Sequence, residues 1–155
     1  MKRKIYYLFL LPLSLLAMTG CLKTNTTPNN VILPVGTFAG TFTRIHLSLQ
    51  TGKLDTIKAN IILTMAAATG YAVSGDTTHH AASHGGYSVD GQYIAFSDQT
   101  LPPPGSVANA PIPVKTHLNG LYQYTYSTPT GGAGASLQIV FTGDTVAYSY
   151  VLAGQ

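Results

Sequence analysis

The 155-residue sequence contains no tryptophan and no glutamate, and its only cysteine is Cys21. A single thiol excludes an internal disulfide, so a folded domain here must be held by its core. Charged residues are 8% of the chain. Glutamate and lysine are too scarce to cover the solvent face of helices, and no long stretch shows an apolar period near 3.6. Serine occurs in no Gly-x-Ser-x-Gly elbow, and no phosphate-cradling glycine loop carries a lysine. The glycine-rich stretch "TGGAGA" lies between two strand-like runs rather than before a helix, and reads as a hairpin connection. All five acids are aspartates in "GKLD", "SGD", "VDG", "SD" and "TGD", where a short carboxylate hydrogen-bonds its own turn. Their spacing does not suggest a carboxylate pair for acid–base work. The sequence therefore points away from an enzyme and away from a bound cofactor.

What is present begins at the N-terminus. Lys2, Arg3 and Lys4 precede an apolar run from Ile5 to Leu16, the length of a signal-peptide core and short for a membrane span. "LAMTGC" follows, with Thr19 and Gly20 directly before Cys21. This stretch resembles a bacterial lipobox, with Met18 where leucine is usual. The resemblance implies cleavage after Gly20, diacylation of the Cys21 thiol with palmitate-like chains, and acylation of the new amino terminus. An ordinary secretory signal or an uncleaved anchor is the alternative. Leu22-Lys23 follows the cysteine in place of the aspartate that retains such proteins in the inner membrane, which favours the outer membrane.

Removal of residues 1–20 takes three of the eight basic residues and leaves five against five aspartates. The formal charge of +3 thus belongs to the targeting segment, and no basic patch is left for nucleic acid. Residues 21–35, rich in Thr and Asn and broken by Pro28 and Pro34, read as a tether. Residues 36–155 suit one small domain. Nothing in the sequence fixes its oligomeric state.

That domain reads as eight strands. The first two are expected at about 37–47 and 56–66, and in the second Ile57, Ala59, Ile61, Leu63 and Met65 alternate with polar residues. "YAVSG" follows, then "GYSV" and "QYIAFS", joined by Asp90-Gly91, a strong hairpin signal. The five prolines of 98–116 mark a long loop. "LYQYTYS" (121–127), "ASLQIVF" (135–141) and "TVAYSYVL" (145–152) complete the set. Strands in meander order, each with one apolar face, close most simply into an all-β, eight-stranded antiparallel up-and-down barrel. A β-sandwich of the same strands is the alternative.

"GTFAGTF", "YSVDGQYIAFSD" and "LNGLYQYTYS…LQIVFTGDTVAYSYVLAGQ" resemble the small lipocalin-like lipoproteins common in Bacteroidetes. The resemblance implies a lipocalin-like barrel, here without a C-terminal helix and with Gly-x-Phe pairs where lipocalins carry Gly-x-Trp.

Two sets of residues remain as candidate sites. Of ten tyrosines, Tyr87, Tyr122, Tyr124, Tyr126, Tyr148 and Tyr150 fall in the apolar phase of strands, and Phe96 joins them. Such a set either lines a cavity for a small apolar ligand or fills the barrel. The second set is "DTTHHAASHGGY", where His79, His80 and His84 follow Asp76. Imidazoles bind Zn, Cu or Ni when three or four ligands converge. In extended chain, however, His79 and His80 face opposite ways, and His80 and His84 align only on a helix. The expectation is a solvated connection at the barrel rim and no metal. The chain is thus expected to be a lipid-anchored envelope protein. It either binds a small apolar ligand or serves as a structural or protein-interaction module with a filled barrel.

Overall fold

Alternation of apolar and polar residues decides the architecture. In β2 (Leu54–Ala66) Ala59, Ile61, Leu63 and Met65 are buried while Lys58, Asn60, Ile62 and Thr64 are exposed. The computed structural model describes residues 31–102, 115–128 and 134–155. Cys21, the expected signal peptide and most of the expected tether lie outside the described residues. The remaining strands are β1 (Gly36–Leu47), β3 (Gly70–Gly75), β4 (His84–Val89), β5 (Tyr93–Asp98), β6 (Gly120–Ser127), β7 (Ser136–Thr142) and β8 (Val146–Gly154).

Each strand pairs antiparallel with the next, and β1 closes on β8, giving an eight-stranded up-and-down barrel. The sandwich alternative is excluded by that closure. Closure leaves no sheet edge for another chain to extend. It also demands strong coiling, and two glycines supply it. A Cβ on Gly40 would strike the Val151 carbonyl, and one on Gly85 the Ser97 carbonyl. Only residues without side chains allow the strands to approach this closely.

The β4–β5 hairpin is present, but its turn is centred on Gly91-Gln92 rather than on Asp90-Gly91. Asp90 N–H donates to the Tyr93 carbonyl, and the Asp90 carboxylate accepts from the amides of Gln92 and Tyr93. Those two bonds hold the Asp90 carboxyl below its ordinary value of 3.8. Aspartate acts here as a side-chain mimic of the turn, and Gly91 alone takes the positive φ of 93°.

Chain outside the strands packs on both ends of the barrel. At the end holding the start of β1, Pro34 is buried and its carbonyl accepts the Tyr87 hydroxyl at 2.7 Å. Pro34, grouped with the tether on composition, therefore packs with the barrel.

The opposite end is capped by two connections. β3 and β4 share only the pairs Tyr71↔Gly85 and Ala72↔His84. Beyond these the β3–β4 connection departs and bridges in parallel to the segment before β6, through His80↔Thr116. Thr116 N–H donates to the His79 carbonyl at 3.0 Å, and Ala81 N–H to the Thr116 carbonyl at 2.8 Å. Leu118 is fully buried, and the Tyr71 hydroxyl donates to its carbonyl at 2.5 Å. Residues 98–116 are thus not loop throughout. Asp98 ends β5 and Thr116 belongs to the cap, while 103–114 lie outside the described residues.

Candidate functional site

The expected cavity residues lie on the inward phase of their strands, and most of their rings pack against other aromatic rings. Phe96, Tyr122 and Tyr150 are buried; Tyr87, Tyr124, Tyr126 and Tyr148 are half-buried. Several of these rings form a connected series in the interior. Tyr87 lies 6.3 Å from Phe96, Phe96 5.9 Å from Tyr122, Tyr122 6.2 Å from Tyr150, and Tyr150 4.9 Å from Phe42. Tyr148 joins through Phe141 at 5.5 Å, and Tyr126 meets Phe38 at 6.1 Å. Three of these six contacts are edge-to-face, an arrangement that the ring quadrupoles favour. Desolvation pushes the Tyr122 hydroxyl up to about 12 and the Tyr150 hydroxyl well above its ordinary 10.0. These are the titration properties of core groups.

The histidine-rich stretch differs from expectation at one residue. His79 and His84 are exposed, but His80 is completely buried. The connection is therefore not a solvated loop at His80. The Thr116 bridge turns this ring inward, 4.7 Å from Phe42 and edge-on at 81°. His80 Nδ1 lies 2.8 Å from the Ala81 carbonyl, and Nε2 lies 3.0 Å from the Tyr150 hydroxyl. A carbonyl only accepts, so Nδ1 carries the proton and Nε2 accepts from Tyr150. Burial lowers the proton affinity of this imidazole, keeping it neutral. Asp76 turns elsewhere, its carboxylate accepting the Thr78 amide at 2.9 Å. Among the described residues no three histidine, cysteine or acidic side chains converge as a metal site. The structure thus separates Asp76, His79 and His84 and makes His80 a core residue.

A polar cluster lies at the capped end, among residues that no sequence motif brings together. On β1, Phe38, Gly40, Phe42 and Arg44 share the inward phase. Arg44 therefore enters the barrel mouth, opposite Tyr148 of β8. Its Nε is buried, without a hydrogen-bond partner among the described residues. All five aspartates of the chain lie among the described residues, and none is within ion-pairing distance of it. Arg44 lines a cleft of about 280 Å³ with Leu101, Lys115, His117, Tyr122 and Tyr148. A second opening, toward His46 and Val146, adjoins the same guanidinium.

His117 does not act as Arg44's counterpart. Its Nδ1 donates to Asp98 Oδ2 at 2.7 Å, while Asp98 Oδ1 accepts the amide and hydroxyl of Thr100. The Asp98 side chain is fully buried, and its carboxylate oxygens are held by hydrogen bonds within this group. Thr100 sits on the same side of the imidazole as Asp98, 3.4 Å from Nδ1. A nucleophile served by a histidine base would instead face the other nitrogen. The cluster holds the Asp98 carboxylate by three hydrogen bonds.

One signal for this cluster was present in the sequence, an arginine in the apolar phase of β1. Its meeting with Lys115 and His117 depends on strand order and cap, which no local pattern encodes. No family model, curated protein or solved structure matches this chain.

Proposed function

We propose that this protein is a lipid-anchored, non-enzymatic lipoprotein of the cell envelope, held at the outer membrane through Cys21. Its barrel acts as a filled scaffold that works through its surface, not as a carrier with an apolar ligand inside. The observation that supports the filled reading is Tyr150. It is wholly buried at the centre of the domain, between Phe42, Tyr122 and His80, with its hydroxyl bonded to His80 Nε2. A ligand in that place would have to displace aromatic rings and break a buried hydrogen bond, leaving polar atoms unpaired.

The lipobox-like "LAMTGC" supports the anchor, because two or three acyl chains hold a protein on a membrane far longer than one. The test has two arms. Cys21→Ser should abolish acyl labelling and release the protein from the membrane fraction; unchanged labelling contradicts the anchor. Titration of the detergent-solubilised full chain with a fluorescent fatty acid should give no saturable binding beyond that of the detergent alone. Stoichiometric, saturable binding contradicts the filled-scaffold reading.

A further inference from the structure

We propose that the cleft at the capped end is a binding site for a carboxylate, with Arg44 as its anchor. The site goes beyond the scaffold reading and stands whether or not the chain is lipid-anchored.

Three observations meet there. The first is the unsatisfied donor. A guanidinium carries five N–H donors in a planar fork, and Arg44 leaves Nε buried and unpaired among the described residues. A buried donor without a partner is costly, and few persist in folded proteins without a reason. The second is charge. The cleft brings Arg44 and Lys115 together. The nearby carboxylate of Asp98 is already engaged by His117 and Thr100. Two cationic side chains against that one carboxylate leave the cleft with an excess of positive charge beside low-dielectric walls, which attracts anions. The third is shape. Leu101, Tyr122 and Tyr148 give apolar and aromatic walls on a volume of about 280 Å³. That is near the lower end of small-molecule pockets, which run from about 300 Å³ upward.

A fork of N–H groups matches the two oxygens of a carboxylate, and such bidentate pairs are short and strong. The aromatic wall gives the remainder of the ligand a surface to pack on. The structure thus favours an organic acid with a compact apolar or aromatic body. The carboxylate comes either from a free small acid or from the C-terminus of a peptide.

Nuclear magnetic resonance of the detergent-solubilised full chain tests this with four probes: benzoate, benzamide, N-acetyl-glycyl-phenylalanine and inorganic phosphate. Benzoate or the peptide acid should shift the signals of Arg44, Lys115, His117 and Tyr148 saturably, and benzamide should not. The tighter of the two acids identifies the source of the carboxylate. Arg44→Gln should weaken the preferred acid by roughly tenfold or more. Arg44→Lys, which keeps the charge but loses the fork, should also weaken it. If Arg44→Gln fails to fold, the mapping on the unaltered chain still decides the matter. Absence of saturable shifts at this cleft, equal binding of benzamide, preference for phosphate, or unchanged affinity in a folded Arg44→Gln protein overturns the proposal.

Discussion

Replacing Tyr150 with phenylalanine removes one oxygen from the middle of the barrel. The hydroxyl donates to His80 Nε2 at 3.0 Å, and both residues are completely buried. Phenylalanine keeps the ring contacts to Phe42 and Tyr122 but leaves Nε2 without a donor. An orphaned buried acceptor costs about 1–3 kcal/mol. For a domain of this size that lowers Tm by roughly 4–12 °C.

His80→Leu orphans the Tyr150 hydroxyl in turn. The double variant removes both halves of the bond. It should therefore be more stable than the sum of the two losses implies, by about 1 kcal/mol or more. Acid adds a second readout. Burial lowers the pKa of His80 in the folded chain below its ordinary 6.5, so the unfolded chain takes a proton first as pH falls. Its contribution to stability is thus present above pH 6.5 and is lost below it. The slope approaches about 1.4 kcal/mol per pH unit until the folded chain is protonated as well. Asp76 and Asp90 are also depressed, by hydrogen bonds to backbone amides, but from 3.8. Their contribution is lost in a separate window below that value. Denaturant melts of the full chain in detergent from pH 7.5 to 5 check this, with and without His80→Leu. Additive single losses, or an unchanged acid slope in His80→Leu, would refute the assignment of His80 as a neutral core acceptor.

Alkaline behaviour should mirror this. Desolvation raises the phenols of Tyr71, Tyr122 and Tyr150 in the folded chain, so their contribution is intact below pH 10 and falls as pH rises past it. Absorbance titration at 295 nm should show these three ionising only as the barrel unfolds; smooth reversible titration of every tyrosine near 10 would contradict their burial. Gly85→Ala should destabilise by more than about 1 kcal/mol in denaturant melts, because its Cβ meets the Ser97 carbonyl of the paired strand. A neutral result there would remove close strand approach as the reason for the glycine.

Strand positions were readable because period-2 alternation is local. The runs beginning "TIKANIILTMA" and "TVAYSYVL" show their buried face without reference to any partner. Closure followed from meander order and short turns. The inward phase of the tyrosines is legible in the alternation, but phase does not reveal whether inward rings line a space or fill it. That depends on contacts between strands far apart in sequence, such as Phe42 with Tyr150. His80 was misread for the same reason. Its fate depends on Thr116, with which it pairs across the barrel cap. The dense cluster of imidazoles drew attention to metal chemistry, whereas the isolated Arg44 carries the less compensated charge.

The central claim is that this barrel is a filled, lipid-anchored scaffold. Native mass spectrometry of the full-length gene product, purified from its own host in mild detergent, tests it most directly. The expected mass is that of a chain beginning at Cys21 with its acyl chains, and with no apolar molecule retained in the barrel. A chain without acyl groups, or a stoichiometric apolar molecule released only on unfolding, would contradict it.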